Sequence, residues 1–188
     1  MMHSDNWALK AKQMGYRSRA VFKLEEILKK TRTKKFKNVL DLGSSPGAWS
    51  QFIIKKNSNA NVYALDILDM EPIEGVSFFK QNIEQIYNVP QILKLKGNFN
   101  LVISDIAPNL SGIKSVDNEN ILDLNKLTVE IALNYLCNGG TLIMKTFQNS
   151  FLKTLRKDME LSFKIVQTYK PAASKKQSGE IYLYGVKY

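Results

Sequence analysis

Short apolar runs that alternate with stretches of helical periodicity account for most of the 188-residue sequence. Several runs are almost continuously apolar, which is typical of strands covered by helices on both faces of a sheet. Seven runs are candidate strands: KNVLDL (37–42), ANVYALDI (60–67), VSFFK (76–80), FNLVISD (99–105), GTLIMKTF (140–147), FKIVQTY (163–169) and GEIYLYGVKY (179–188). The pattern predicts an α/β fold with a mostly parallel seven-stranded sheet, helices on both faces and an antiparallel last strand.

Helical spacing is clearest in two stretches between these runs. Residues 18–30 form an amphipathic pattern with Ser18 as the expected N-cap, and Lys23 lies off the most apolar side. A second helix is expected to end in a left-handed turn at the glycines of 139–140. Pro90 is expected to divide a third, weaker helical stretch.

Composition narrows the chemistry that is possible. Cys137, the single cysteine, excludes an internal disulfide and is expected to be a buried thiol at a helix end. The single histidine, His3, cannot build a histidine-based triad or a zinc site, so no metal site is expected. Neither a membrane-spanning run nor the apolar core of a secretory signal is found. We therefore expect one soluble domain over 1–188, not secreted, in the cytoplasm or an organelle interior.

The net charge of +10 favours an anionic partner, most simply nucleic acid, although a biased genome composition also enriches lysine. Basic clusters occur at 10–19, 29–37 and 174–179, all outside the predicted strands. A solvated surface is the alternative interpretation of each cluster. The helical, basic segment 1–30 is expected to face RNA.

A glycine-rich turn follows the first predicted strand in VLDLGSSPGAWSQF (39–52). Ligands of open parallel sheets bind at the carboxyl ends of strands, so Gly43 and Gly47 are expected to contact a cofactor. The turn matches neither a phosphate-binding G-x-x-x-x-G-K-[ST] loop nor G-x-G-x-x-G. Asp66 ends the next strand and suits the two hydroxyls of an adenosine ribose. S-adenosylmethionine is therefore favoured over a dinucleotide.

Three further polar residues follow or interrupt apolar strands. Asp105 closes FNLVISD, and capping of the next loop is the alternative role. Lys145 lies inside GTLIMKTF, where an ammonium group is costly to bury. Glu180 begins the last strand and is equally compatible with an ordinary solvated residue.

Together these stretches resemble the FtsJ/RrmJ-type RNA 2′-O-methyltransferases, closest to the branch that acts on ribosomal RNA. The resemblance runs nearly end to end and rests on GYRSRAVFKLEEI, VLDLGSSPGAWSQF, ALDILDMEP, SDIAPNLSG, the lysine of LIMKTF and the glutamate of SGEIYLYG. It implies a Rossmann-like S-adenosylmethionine-dependent methyltransferase fold. The catalytic set that it implies is Lys23, Asp105, Lys145 and Glu180. The cofactor contacts that it implies are Gly47, Trp49, Asp66 and Asp105.

The sequence departs from the family pattern at one position. Where relatives usually carry an aspartate near the adenine, this chain has Asn82, whose amide still donates and accepts hydrogen bonds. Asn82 is therefore a further expected cofactor contact. The loop Asn-Leu-Ser-Gly at 109–112 resembles the ribosomal branch, whereas relatives acting on transfer RNA tend to have Asp-Val-Thr-Gly there.

The resemblance thus implies 2′-O-methylation of a ribose, expected to be that of a uridine, in large-subunit ribosomal RNA or the assembled large subunit. The product would be S-adenosylhomocysteine, the enzyme a monomer, and no metal would be required. Three other functions stay open: a transfer RNA methyltransferase, a non-catalytic RNA-binding module of ribosome assembly, and a nicotinamide-dependent oxidoreductase. The turn pattern disfavours the last of these.

A mechanism follows as a hypothesis. Lys145 is expected to act as the base or to orient the ribose oxygen, with Lys23, Asp105 and Glu180 fixing its position and charge. RNA phosphate contacts are expected from cations that flank Lys23 or precede Glu180 in the sequence. These cations are Arg17, Arg19, Lys175 and Lys176.

Overall fold

Helices and strands alternate along the chain in the computed structural model, which describes residues 6–34, 37–175 and 177–188. The α-helices within these residues are α1 (Asn6–Gln13), α2 (Ala20–Thr31), α3 (Ala48–Lys56), α4 (Pro90–Leu93), α5 (Lys114–Tyr135) and α6 (Leu152–Glu160). The strands in the same ranges are β1 (Asn38–Leu42), β2 (Asn61–Asp66), β3 (Val76–Lys80), β4 (Phe99–Ser104), β5 (Leu136–Phe147), β6 (Phe163–Tyr169) and β7 (Glu180–Lys187). All the predicted strands are confirmed. None of the described helices is long and apolar enough to span a membrane.

The strands form one sheet in the order β3-β2-β1-β4-β5-β7-β6. Strands β1 to β5 pair in parallel, whereas β7 runs antiparallel to both β5 and β6. The mostly parallel sheet with an antiparallel last strand is therefore confirmed. The strand order reverses between β1 and β4, so their carboxyl ends border the crevice in which open α/β sheets bind ligands.

Both faces of the sheet are buried, and the alternation of side chains decides which residues meet which helices. Val39 packs into the core formed with α2 and α3, whereas its neighbour Leu40 packs into the core formed with α5 and α6. Ile143 lies on the α2 side as well. Because residues two apart share a face, Asp41 and Lys145 also lie on the α2 side of the sheet.

The N-terminus of α2 differs from the prediction. Its N-cap is Arg19 rather than Ser18, and no side chain caps it. The Ser18 hydroxyl instead accepts a hydrogen bond from the main-chain N–H of Ala20, only two residues ahead. Pro90 is confirmed as a divider, because it begins α4 after the separate 3₁₀ helix Ile83–Asn88.

The predicted end of the long helix is also wrong. Helix α5 ends at Tyr135, because Leu136 is already extended and pairs with Phe99 at the start of β5. Gly139 does adopt a left-handed backbone angle, but inside the early part of β5. Cys137 consequently lies in a strand and is only half-buried, instead of being a buried thiol at a helix end.

Gly47 is favoured by its backbone angle, and the space beside it is filled by the outer atoms of neighbouring side chains. It precedes α3 with φ of 102°. A Cβ atom at this position would lie 2.7 Å from Ile73 Cδ1 and 2.8 Å from Met70 Sδ, both in the loop after β2. The space beside Gly47 where we expected a ligand is therefore occupied by side chains of the loop after β2.

We expect Gly47→Ala to lower the free energy of unfolding by about 2–3 kcal/mol, because strain at positive φ adds to the smaller cost of displacing the ends of the Ile73 and Met70 side chains. Gly97→Ala is the matched control: its φ is 77°, but no described atom lies within 4 Å of the added Cβ. The control should lose only about 1–2 kcal/mol. Urea denaturation of both variants measures the difference, and equal losses would contradict the packing role.

Candidate active site

The glycine turn and Asp66 are fixed by main-chain hydrogen bonds at the carboxyl edge of the sheet. The N–H of Gly43 donates to the carbonyl of Leu65 at 2.8 Å. Ser45 N–H donates to Asp66 Oδ2 at 2.8 Å, and Leu68 N–H donates to Asp66 Oδ1 at 2.8 Å. Each carboxylate oxygen keeps a further lone pair, so Asp66 can still accept hydrogen bonds from a ligand diol.

A cleft of about 490 Å³ opens at the ends of β1, β2 and β4. Four of the residues expected to contact a cofactor line it: Gly43, Asp66, Asn82 and Asp105. Its apolar walls include Ile67, Leu68, Ile83 and Ile106. A volume of this size and a mixed polar and apolar lining are typical of small-molecule sites.

Trp49 and Gly47, the other two expected contacts, do not line this cleft. Trp49 lines a smaller cavity of about 50 Å³, together with Asp41, Ser44 and Asp105. The Trp49 indole N–H donates to the carbonyl of Ala20 at 2.7 Å, so this ring also joins α3 to α2. The buried Ser44 Oγ has no hydrogen-bond partner among the residues described.

Asn82 caps the 3₁₀ helix at the rim of the cleft. Its side-chain oxygen accepts a hydrogen bond from the Glu84 N–H at 3.0 Å, and the side chain is exposed. Its NH₂ group donates to Glu84 Oε2 at 3.4 Å, which leaves one N–H and one oxygen lone pair for a ligand. A contact with adenine therefore stays a prediction for Asn82.

Two ion pairs bring together the residues of the expected catalytic set. Lys23 Nζ lies 2.8 Å from Glu180 Oε1, and Lys145 Nζ lies 3.3 Å from Asp105 Oδ1. Lys145 also donates to the main-chain carbonyl of Asp105. Strand pairing explains the convergence, because Glu180 at the start of β7 faces Phe147 at the end of β5.

Tyr182, which sequence reasoning missed, connects the two pairs. Its fully buried hydroxyl donates to Asp105 Oδ1 at 2.6 Å, and its ring centroid lies 5.7 Å from Lys23 Nζ. Burial, reinforced by the negative charges of Asp105 and Glu180, raises the pKa of Tyr182 far above its ordinary value. The phenol therefore stays a neutral donor. The sequence did contain a signal for this residue: Tyr182 lies two residues after Glu180 in a strand, so both side chains are on the same face of the sheet.

Lys23 is buried, with 6% of its surface exposed, whereas the sequence placed it off the apolar side of α2. The charge is tolerated because Glu180 compensates it across the helix–sheet interface. Burial opposes ionisation of Glu180, but the hydrogen bond and charge of Lys23 outweigh it and lower the pKa of this carboxyl. Ser174 Oγ also donates to Glu180 Oε1 at 2.7 Å. Glu180 is thus not an ordinary solvated residue.

Asp41 is a second buried acid that the sequence analysis did not select. It is 1% exposed, and Ser50 Oγ donates to its Oδ2 at 2.6 Å. Burial raises the pKa of Asp41 to about 7, with smaller contributions in the same direction from the charges of Asp105 and Asp66. An acid inside the apolar run VLDL was the signal that pointed to it.

Arg17 is engaged within the fold. Its guanidinium donates to the carbonyls of Pro46 at 2.9 Å, Glu71 at 2.6 Å and Pro72 at 2.8 Å. It therefore ties the glycine turn to the loop after β2. Replacing Arg17 would disturb this loop whether or not the side chain contacts RNA.

The other residues expected to contact RNA border the site in different ways. Arg19 is half-buried at the start of α2, and Lys175 is exposed before β7. Lys176 lies outside the described residues. Contacts of these residues with RNA stay predictions.

Known proteins resemble this chain over nearly its whole length. The model of the FtsJ-like methyltransferase family matches residues 16–188. The ribosomal RNA large subunit methyltransferase E of Wigglesworthia glossinidia brevipalpis is 38% identical over 188 residues, 99% of this chain and 93% of the relative. The protein of the same name from Methanocella arvoryzae is 39% identical over 182 residues, 96% of this chain and 71% of the relative.

A crystal structure from Plasmodium falciparum, described as a ribosomal RNA methyltransferase, superposes with a TM-score of 0.77 at 32% identity. The superposition covers 92% of this chain and 98% of that chain. The resemblance seen in the sequence is therefore confirmed. Because the match extends over the sheet, the glycine turn and both ion pairs, the chain belongs to the FtsJ-like methyltransferase family.

Proposed function

We propose that this protein transfers the methyl group of S-adenosylmethionine to a ribose 2′-hydroxyl of large-subunit ribosomal RNA. The observation that carries the proposal is the two largely buried ion pairs, Lys145 with Asp105 and Lys23 with Glu180, joined by Tyr182 beside the cleft. Family membership supports methyl transfer. The names of the relatives supply the class of RNA.

The residues around the cleft fit S-adenosylmethionine. This molecule combines an adenine, a ribose diol and a sulfonium cation, which require an apolar wall, a hydrogen-bonding carboxylate and nearby negative charge. The cleft offers Ile67 and Ile106 as apolar surface, with Asp66 and Asp105 as carboxylates. The residues proposed to contact the cofactor directly are Gly43, Asp66, Asn82 and Asp105, which line the cleft, whereas Gly47 and Trp49 do not line it and are proposed to shape the turn and the helix beside it. When bound, the cofactor supplies an electrophilic methyl group whose leaving group is a neutral thioether, so we propose that no metal is needed.

Lys145 is the residue proposed to act on the ribose oxygen. Its ammonium group is directed by two oxygens of Asp105, and the carboxylate of Asp105 is held in turn by Tyr182. A third N–H of Lys145 then orients the 2′-oxygen, and such positioning contributes a large part of the rate in group transfer. If Lys145 is the base, it must be the neutral amine; its Nζ would then accept the hydroxyl proton, while the methyl group passed from sulfur to oxygen and left the neutral thioether. Lys23 adds a second positive charge, with its Nζ 5.7 Å from the centre of the Tyr182 ring.

The proposal is tested by incubating the protein with S-adenosylmethionine carrying a radiolabelled methyl group and with ribosomal RNA, free or in large subunits. We expect label in dinucleotides that resist alkali, because a 2′-O-methyl group removes the hydroxyl that alkaline cleavage requires. Label in transfer RNA alone would overturn the ribosomal assignment. Binding of NAD in place of S-adenosylmethionine, or binding of RNA without label, would support the alternatives named above.

A further inference from the structure

Two adjoining grooves lie where α2 and α3 end, at the edge of the sheet opposite the catalytic residues. The first, of about 290 Å³, separates the ends of the two helices. The second, of about 390 Å³, faces the amino ends of β4 and β5. Arg32 and Lys34 line both, so the grooves form one surface. We call it the distal basic groove, defined by Lys29, Arg32, Lys34, Lys56, Asn138 and Tyr184.

Lys56 Nζ lies 5.5 Å from the centre of the Phe52 ring, whereas the other three cations of this groove have no such partner among the described residues. Lys30 pairs with Glu26, but Lys29, Arg32 and Lys34 form no hydrogen bond or ion pair through their side chains with the described residues. A lysine in the last turn of a helix, such as Lys29, also interacts favourably with the helix dipole, so it has a structural role without RNA. Arg32 and Lys34 lie beyond that turn, however, because Arg32 is the left-handed C-cap of α2 with φ of 54°.

Neutral donors surround these cations. Thr31 and Thr33 share a hydrogen bond of 2.8 Å between their hydroxyls, and Thr33 Oγ1 lies 3.5 Å from the hydroxyl of Tyr184. Asn138 and the main chain of the following glycines complete the second groove, whose described lining includes two cations and no carboxylate. The first groove has one carboxylate, that of Glu25, against four cations. Arginine, lysine, hydroxyl, amide and main-chain N–H groups are the ones that contact nucleic-acid phosphates.

We propose that the distal basic groove binds the phosphate backbone of the substrate RNA at a distance from the methylated ribose. This inference rests on the proposed function, since an RNA substrate is what brings phosphates to both ends of α2. Lys23 and Arg32 lie nine residues apart along this helix, which corresponds to about 13 Å. An RNA strand that follows α2 from the proposed site would span this distance with a few nucleotides, and the contact would add affinity without touching the reacting atoms.

The test compares two variants with equal changes of net charge. The groove variant is Arg32→Glu with Lys34→Glu. The control is Lys94→Glu with Lys96→Glu, at two exposed lysines that follow α4 on the other face of the sheet. Glutamate at position 32 carries a Cβ as arginine does, so it adds no strain at the positive φ. An unchanged Kd for S-adenosylmethionine verifies that each variant is folded.

Deproteinised large-subunit ribosomal RNA is the probe, with Kd measured at several salt concentrations and methyl transfer measured in parallel. We expect Kd and KM for RNA to rise by about tenfold or more in the groove variant and less than about twofold in the control, with kcat unchanged in both. The slope of log Kd against log salt should become shallower by about 1.4–1.8, the value for two lost phosphate contacts.

Equal weakening in the two variants would overturn the proposal, because net charge alone would then explain the effect. Unchanged RNA affinity in the groove variant would also overturn it, and is the result expected if the groove takes an acidic protein. A wild-type protein that transfers no methyl group to any RNA would overturn the proposed function and this inference together. An active wild type with a groove variant matching the control would overturn the groove alone.

Discussion

Replacing Lys145 by alanine is expected to slow methyl transfer by about 10²- to 10⁴-fold, the range typical of a lost acid–base or positioning group. The variant removes the amine that lies 3.3 Å from Asp105 Oδ1. The affinity for S-adenosylmethionine should change by less than about threefold, because Lys145 does not line the cleft. Single-turnover rates and equilibrium titration measure the two effects separately.

Lys145→Arg and a pH–rate profile distinguish the two roles of this residue. A guanidinium group keeps the positive charge and donates hydrogen bonds but cannot accept the hydroxyl proton. A rate that rises with pH to a midpoint well below 10, and a rise that disappears in Lys145→Ala, would identify a neutral base. If the rate of the wild type does not change with pH and Lys145→Arg keeps partial activity, the role of Lys145 is to orient the 2′-oxygen. Lys126→Ala, on the exposed side of α5, is the surface control and should leave the rate of methyl transfer unchanged.

Unchanged kcat in Lys145→Ala would contradict both roles.

Asp41→Asn is expected to stabilise the folded protein above neutral pH by up to about 4 kcal/mol. Burial raises the pKa of Asp41 from 3.8 to about 7. Below pH 3.8 the carboxyl is protonated in both states and contributes no difference. Between these values the folded protein keeps a proton that the unfolded chain has released, so stability falls as the pH rises. Above about pH 7 the full cost of the buried charge is present.

Asparagine removes this charge and keeps an oxygen that can accept the hydrogen bond from Ser50. Urea denaturation near pH 4 and at pH 8 should therefore give similar stabilities for wild type and variant at the lower pH and a large difference at the higher one. Asp123→Asn, at an exposed position of α5, controls for the loss of one negative charge. Parallel curves for wild type and Asp41→Asn would refute the assignment of a raised pKa to this carboxyl.

The central strands β1, β4 and β7 could be predicted because both of their faces are buried, which leaves nearly unbroken apolar runs in the sequence. Lys145 and Asp105 were recognisable for the same reason, since charges stand out inside or at the end of such runs. The end of α5 was not predictable from periodicity. Leu136 continues the helical pattern of apolar residues, and only its pairing with Phe99, distant in the sequence, makes it extended.

Partners that are distant in sequence also explain the residues that were missed. Tyr182 resembles an ordinary core aromatic until Asp105 is placed against its hydroxyl. Arg17 resembles a surface cation until three carbonyls from the glycine turn and the loop after β2 surround its guanidinium. Patterns along one element therefore locate candidate residues, whereas the hydrogen bonds that decide their roles depend on packing between elements.

The position of β7 between β5 and β6 has a consequence for synthesis of the protein on the ribosome. Until this strand emerges, β5 has an open edge and β6 lacks the neighbour with which it pairs. The same strand contributes Tyr182 and Glu180, so Lys23 and Lys145 gain their partners in the step that closes the sheet. A nascent chain that has not yet docked this strand therefore lacks the contacts that join the proposed catalytic residues, and under the proposed function we expect no methyl transfer before that step.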